Sequence, residues 1–409
     1  MNNSWGKLGK LGQWARLTTL RGLMGLMGLI GLIGTGFSAC SPEPPLHLYD
    51  VQELVVEVSV VKLDLQSYWE TVMKLNTDID IEAQWYYGWD GIDISGWGEI
   101  GIDGKVNYIK PYIFEVRRYY TGEVKNGKHT AVQPDTIQGY DFQRPFEFGY
   151  WDMLLWNEIR TKDNVLSINV DENSLDSVVA YTNPTPYPSR YNAPRFTHSF
   201  HTPEMLFSAY EAGIEIDKDL KDFDYDAERD VWVRTLPLKL RPLTYIYLVQ
   251  VILYNNNGRL TIDGNANLSG MARSVCLNSG RAGDDAITVY FNVDMKHDCD
   301  KDGKKVDIIG GQVMTFGIPG LKANEITDAS QVRDSYEHKL DFNVLFNNSG
   351  MDSTIVRDVS DQIRNQCRGG IITIEIDVDQ MNIPTRTGGS GFDAVVKDTE
   401  DGGTYEFDM

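Results

Sequence analysis

Cysteine is scarce in this chain: the 409 residues include four, and the last three are Cys276, Cys299 and Cys367. None of these three lies in a CxxC motif, so their spacing indicates neither a zinc site nor a disulfide framework. A chain of this size can also build a hydrophobic core without disulfides. Whether any two of the three form a bridge stays open on the sequence alone.

The motifs of common catalytic sites are also missing. The sequence contains no HExxH, no GxSxG and no phosphate-binding P-loop. The segment from Gly96 to Gly101 fits GxGxxG, but a hairpin pattern follows where a nucleotide-binding fold needs a helix. We therefore expect no enzyme and no cofactor.

Two patterns resemble metal sites without completing one. The alternating aspartates of the segment 298–303 imitate the first half of a calcium loop, yet Ile309 stands where the bidentate glutamate belongs. His198 and His201 are suitably spaced for a metal, but the sequence places no third ligand beside them. We predict a solvated hairpin, loop histidines and no metal.

Basic residues are in deficit, with 38 Lys and Arg against 59 Asp and Glu in the whole chain. Without residues 1–39 the balance is 34 against 59, a net charge of −25. Such a surface repels nucleic acid and suits solubility at a crowded cell surface.

The first forty residues have a different character. Residues 1–21 carry four basic residues and no acidic one, and Gly22 to Phe37 follows without a charge. That run has sixteen residues, whereas a helix that crosses a bilayer needs about 20 apolar residues. It therefore predicts a cleaved signal peptide over residues 1–39.

Phe37-Ser38-Ala39 leads directly into Cys40 and resembles the lipobox of bacterial lipoproteins, although Phe37 replaces the more common aliphatic residue. The resemblance implies that Cys40 is lipidated and becomes the N-terminus, with palmitate among its acyl chains. No later apolar segment is long enough to span a membrane. We expect a protein attached to the outer membrane through this lipid, at the cell surface, with residues 40–50 as a tether.

Strand patterns dominate the rest of the sequence. Apolar and polar residues alternate over Ile287 to Val293 and over Ile372 to Val378, and the apolar run from Thr244 to Tyr254 ends at a strong turn signal. Helical spacing occurs over Thr354 to Cys367, and Pro203 to Tyr210 could form two helical turns. The fold class is therefore mainly β, built from β-sandwiches.

Composition suggests how the chain is divided. A charged stretch before residue 235 lacks periodicity, and residues 385–409 are rich in glycine and acid. We predict an N-terminal sandwich over 51–235, a C-terminal sandwich over 236–384 and a tail over 385–409.

Aromatic residues concentrate between Trp85 and Trp97. Exposed rings at Trp85, Trp89 and Trp97 would stack on sugar faces, whereas alternate aromatic residues in a strand usually point into the core. Both interpretations stay open.

The tail contains a short strand pattern. Phe392, Ala394 and Val396 alternate with Asp393, Val395 and Lys397 directly after a GGSG segment. This pattern predicts either a donor strand that pairs with another subunit or an acidic tail that only aids solubility.

Four further segments resemble fimbrial anchor proteins of the Bacteroidales, the base subunits of type V pili. The segments are Pro203 to Ala209, Pro242 to Tyr247, Leu268 to Ala272 and Thr315 to Ile318. The resemblance implies two tandem transthyretin-like β-sandwiches behind the lipidated cysteine.

The function that this resemblance implies is structural. We expect a fimbrium-associated anchor or accessory subunit, active in cell adhesion, whose partners are pilin-like subunits joined by β-strand addition. The alternative is a glycan-binding surface lipoprotein of a polysaccharide uptake system.

Overall fold

β-Strands form most of the regular structure. The computed structural model describes residues 56–60, 81–92, 98–100, 106–108, 111–139, 142–159, 166–169, 175, 178–189, 195–236, 238–383, 396–397 and 404–405. These residues include twenty-five strands and two short α-helices, Ile81–Gln84 (α1) and Ser360–Asn365 (α2). Short 3₁₀ helices cover Ala323–Glu325, Ala329–Gln331 and Val378–Gln380. The mainly β fold class predicted from the sequence is confirmed.

The strands up to residue 236 are numbered in chain order. They are β1 (Val56–Val60), β2 (Gly98–Ile100), β3 (Val106–Tyr108), β4 (Ile113–Gly122), β5 (Ala131–Gln138), β6 (Phe142–Pro145), β7 (Gly149–Asn157), β8 (Leu166–Asn169), β9 (Val179–Thr182), β10 (Pro184–Pro188), β11 (His198–His201), β12 (Phe207–Ile216), β13 (Asp224–Asp226) and β14 (Val231–Leu236). The helical turns considered for Pro203 to Tyr210 are wrong, because β12 begins at Phe207 and pairs with β7.

The later strands are longer. They are β15 (Arg241–Pro242), β16 (Tyr245–Tyr254), β17 (Leu260–Ala272), β18 (Ser274–Cys276), β19 (Ala286–Lys301), β20 (Lys304–Thr315), β21 (Lys339–Phe346), β22 (Met351–Asp358), β23 (Gly370–Asp377), β24 (Val396–Lys397) and β25 (Thr404–Tyr405). The three strongest strand patterns of the sequence correspond to β16, β19 and β23.

The largest sheet has the order β22-β21-β17-β19-β20-β16-β23, and β10 and β11 join it through β19. A five-stranded sheet has the order β15-β12-β7-β4-β5, and a four-stranded sheet the order β13-β14-β1-β6. Smaller sheets are β18-β9-β8, β2-β3 and β24-β25. Most neighbouring strands are antiparallel, whereas β16–β23, β1–β14 and β11–β19 are parallel pairs.

Strand β16 lies between two hydrophobic cores and explains the continuous apolar run of the sequence. Three even-numbered residues of β16 face a core shared with β4 and β7: Ile246, Leu248 and Ile252. Four odd-numbered residues of β16 face a second core shared with β21, β22 and β23: Tyr247, Val249, Val251 and Leu253. A strand that is buried on both faces needs apolar residues at every position, so the usual alternation disappears.

Elements from both predicted domains share sheets. β10 and β11 precede residue 235 but join the large sheet, and β15 follows residue 236 but pairs with β12. Because these pairings cross residue 235, strand pairing does not mark the boundary between 51–235 and 236–384, and that boundary stays a prediction.

The turn between β19 and β20 occupies the calcium-like segment. Asp302 and Gly303 have φ of 53° and 78°, the left-handed pair that a two-residue hairpin requires. Asp300 accepts a hydrogen bond from the Gly303 amide at 3.0 Å. Asp298 and Asp300 thus lie at the end of β19, and Asp302 lies in the hairpin turn.

A buried carboxylate, Asp334, attaches the loop before β21 to α2. His338 Nε2 donates to Asp334 Oδ2 at 2.7 Å, and both side chains are fully buried. Arg364 Nε in α2 lies 3.4 Å from the same oxygen. Burial raises the pKa of Asp334, but hydrogen bonds from His338 and from the Tyr336 amide outweigh it and lower the pKa below its ordinary value.

We expect Asp334→Asn to lower the free energy of unfolding by about 2 kcal/mol at neutral pH, because charge-assisted hydrogen bonds to a buried carboxylate are lost. A depressed folded-state pKa stabilises the fold above the unfolded pKa of about 4, and this contribution is lost as the pH falls through the folded-state pKa. The difference from wild type should therefore shrink below about pH 4 in urea unfolding series. Asp379→Asn, at an exposed pair with Arg259, is the control and should change stability little. Equal losses for both variants would contradict this account.

Candidate functional site

Strand β22 forms one edge of the large sheet. Its eight residues pair in continuous antiparallel register with β21, from Met351 opposite Phe346 to Asp358 opposite Lys339. Within the described residues, no strand pairs with its other side. We call this side the open edge. An unpaired row of backbone N–H and C=O groups is a template for an added strand.

The opposite edge, β23, is closed by Gln362 of α2 and by Gln366, which directly follows that helix. The Gln366 side chain accepts from the Ile371 amide at 2.6 Å and donates to the Ile371 carbonyl at 3.0 Å. The Gln362 side chain accepts from the Thr373 amide at 2.9 Å and donates to the Thr373 carbonyl at 3.0 Å. Because alternate residues of a strand direct their backbone groups to the same side, the two amides replace a neighbouring strand.

We expect the double variant Gln362→Ala/Gln366→Ala to lower the free energy of unfolding by about 2 kcal/mol, since four hydrogen bonds are lost and water replaces part of them. The exposed β23 edge should also self-associate. Denaturant unfolding and sedimentation velocity measure both effects. Gln380→Ala, which removes an exposed contact with Asp377, is the control. A double variant with the same stability and association state as wild type would contradict the capping role.

Other edges carry features that oppose strand addition. β5, at the edge of the five-stranded sheet, has Pro134 at its centre, and proline cannot donate to an added strand. β13, at the edge of the four-stranded sheet, has three residues, two of them aspartates. Short and charged edges resist pairing. β22 has neither a proline nor a glutamine cap among its described contacts.

The tail contributes a small hairpin. Val396–Lys397 pairs with Thr404–Tyr405 in antiparallel register. β25 lies within 8 Å of β22, measured between Cα atoms. Of the predicted donor strand, Val396 lies in β24, while Phe392 and Ala394 lie outside the described residues. The donor role stays a prediction.

The aromatic segment lies against the large sheet. The Gln250 side chain, fully buried on β16, accepts from the Tyr86 amide at 3.0 Å and donates to the Gln84 carbonyl at 2.7 Å. Lys296 donates to the Tyr87 carbonyl and lies 4.0 Å from the centre of the Tyr87 ring. These bonds hold residues 84–87 in place across β16 and β19.

The predicted glycan-stacking residues occupy different environments. Trp85 is 6% exposed, packs against Tyr87 and Trp89, and donates to the Gly88 carbonyl. Trp89 is partly buried against the same core. Trp97 lies outside the described residues. A sugar platform on this segment would therefore rest on Trp89 and Trp97, which stays a prediction.

The predicted loop histidines lie in a strand. His198 and His201 are the first and last residues of β11, so loop placement is wrong for both. The described part of the chain contains no cluster of three metal-ligating side chains. Cys276, Cys299 and Cys367 are free thiols. Cys40 lies outside the described residues, and its lipidation stays a prediction.

No helix in the described residues is both long enough and apolar enough to cross a bilayer. No protein-family model and no curated protein matches the chain.

Solved structures give distant similarities. A proposed adhesin from Bacteroides ovatus has 14% identity, covers 81% of this chain and 95% of its own, and has a TM-score of 0.45. The fimbrial anchor protein Mfa2 from Porphyromonas gingivalis has 14% identity, coverage of 70% and 90%, and a TM-score of 0.39. A proposed polysaccharide-binding protein from Bacteroides thetaiotaomicron has 13% identity, coverage of 68% and 88%, and a TM-score of 0.36. The neighbours include adhesins and a fimbrial anchor, the kind of protein that the sequence motifs resemble. Because each TM-score is below 0.5, we draw no functional conclusion from them.

Proposed function

We propose that this chain is a structural, fimbrium-associated surface lipoprotein, an anchor or accessory subunit that assembles with pilin-like subunits by β-strand addition. The observation that carries the proposal is the contrast between the two edges of the large sheet. β23 is capped by Gln362 and Gln366, whereas none of the described strands pairs with the outer side of β22. A sheet with one capped edge, and no described strand along the other, is suited to adding a strand on that second side.

The tail supplies a second element of the proposal. The described core ends at Ile383, and a fully extended chain from there to Phe392 reaches about 30 Å. The candidate donor face of Phe392, Ala394 and Val396 can therefore leave the core and pair with a neighbouring subunit. β25 of the tail also lies within 8 Å of β22, measured between Cα atoms, so a strand added at this edge would meet the tail there.

Attachment and assembly use opposite ends of the chain in this proposal. A lipid on Cys40 fixes the N-terminus in the outer membrane, and the C-terminal tail remains available to a pilin-like neighbour. Such a role needs no catalytic residue, and the segments that resemble fimbrial anchors support it. Deleting residues 388–409 and measuring whether fimbrial subunits still co-purify tests the proposal.

A further inference from the structure

A cleft of about 430 Å³ opens beside strand β19, away from the open edge. β19 pairs on one side with β11 at Val289 and Tyr290, and with β20 from Val293 onward. On that side Phe291 and Asn292 lie between the two partners, so β19 has a gap in its pairing there. The cleft occupies this gap, and its volume lies in the range of small-ligand pockets.

Two glycines of β20 line the cleft at close contacts with neighbouring groups. A Cβ on Gly311 would lie 2.5 Å from the Asn292 carbonyl oxygen, and one on Gly310 would lie 2.2 Å from the Tyr87 ring. A side chain at Gly311 would collide with the backbone of β19, and one at Gly310 would collide with the ring of Tyr87.

One wall of the cleft is a stacked pair of tyrosines. The rings of Tyr187 and Tyr290 lie 4.3 Å apart between centres and 13° from parallel. Tyr290 is half-buried, and burial together with its hydrogen bond to Tyr187 raises its pKa to about 12. Tyr187 is 48% exposed, so it presents a ring surface that the pair holds in a fixed orientation.

The strand beneath Tyr187 is firmly fixed. Thr185 Oγ1 accepts from the Tyr187 amide at 3.2 Å and donates to the Ser199 carbonyl of β11 at 3.1 Å. Thr185 and Ser199 are both buried. The ring platform is thus built before any ligand arrives, which reduces the entropy that binding must overcome.

Polar groups accompany the platform. Asn292 and Asp294 are exposed on β19, and His201 and Thr202 also line the cleft. Among the described residues that line the cleft there is no Lys or Arg, and Asp294 is the only carboxylate. This lining disfavours phosphate, sialic acid and other anionic ligands.

We infer that the cleft binds a neutral glycan, with one hexopyranose ring stacked on Tyr187. The apolar face of such a ring matches an exposed aromatic surface, and its hydroxyl groups match the amide of Asn292 and the carboxylate of Asp294. A few polar groups around an aromatic wall are typical of small-ligand sites. The aromatic wall of this site is formed by Tyr187 and Tyr290, not by Trp85 and Trp89, and the inference does not depend on strand addition.

Saturation-transfer NMR on the purified full chain with neutral disaccharides of glucose, galactose and mannose tests the inference. We expect at least one disaccharide to bind in the millimolar range and Tyr187→Ala to weaken it at least tenfold. Tyr187→Phe, which keeps the ring, should remain within about threefold, and Asn292→Ala should weaken binding without altering the fold. Tyr225→Ala removes a tyrosine that is 50% exposed elsewhere and should leave binding unchanged.

Circular dichroism and thermal unfolding show whether each variant remains folded. No binding by any disaccharide, or equal binding by wild type and by folded Tyr187→Ala and Asn292→Ala, would overturn the inference. A peptide of residues 391–397 is added as a competitor in a separate series. Binding of that peptide at the cleft without any sugar binding would also overturn it, because the gap in β19 would then be a strand-addition site.

Discussion

Replacing Cys40 with alanine should release the protein from the membrane fraction almost completely. Acyl chains contribute about 0.8 kcal/mol per buried methylene, so two or three of them hold a protein at a membrane. No later segment of the sequence is apolar and long enough to replace them. Cell fractionation and labelling with a fatty-acid analogue measure the effect.

A second cysteine variant provides the control for this experiment. Cys299→Ala changes a free thiol on β19 and should leave both acylation and membrane attachment unchanged. Persistent acylation or membrane retention of Cys40→Ala would show that another residue or segment attaches the protein.

Deleting residues 388–409 should abolish co-purification with fimbrial subunits while membrane attachment and folding persist. The deletion removes the candidate donor face together with β24 and β25, whereas both hydrophobic cores around β16 end before residue 384. Thermal unfolding should therefore change little. Affinity purification from cells that make the fimbrium, followed by mass spectrometry, measures the loss of partners.

The shorter deletion of residues 398–409 is the matched control, because it removes the acidic end and β25 but retains the candidate strand. We expect it to keep at least part of the co-purification. If the longer deletion still retains its partners or still supports fimbriae, the interface lies elsewhere in the chain.

The sequence predicted strands better than it predicted helices. Ile355, Val359 and Ile363 lie four residues apart and suggested one helix over 354–367, but Ile355 belongs to β22 and only Ile363 to α2. All three side chains nevertheless enter the same core. Burial against one core therefore produced the spacing, and tertiary packing decided where the helix begins.

The candidate sites depend on contacts that the sequence does not display. From the sequence alone, Gln362 and Gln366 are expected to be solvated polar residues. Only the structure shows that their side chains bond to the backbone of β23. The cleft joins Tyr187, Thr202 and Asn292, which are separated by up to 105 positions and lie on different elements. Local patterns predict which segments are strands, whereas strand order decides which side chains meet.

Aromatic content was a partial guide to the cleft. The aromatic residues between Trp85 and Trp97 suggested a binding site in this segment. Two of its residues, Gly91 and Ile92, line the cleft. The exposed ring, however, is Tyr187, which lies in a proline-rich strand with no aromatic alternation. Exposure is set by neighbouring strands, so composition alone could not identify it.

Charging each face of the tail strand separately tests strand addition most directly. One variant combines Phe392→Asp, Ala394→Asp and Val396→Asp, and its counterpart combines Val395→Asp and Lys397→Asp on the opposite face. An added strand buries one face, so the first variant should lose co-purification of fimbrial subunits and the second should keep it. If both variants retain the subunits, or both lose them equally, the tail does not act as a strand with one buried face.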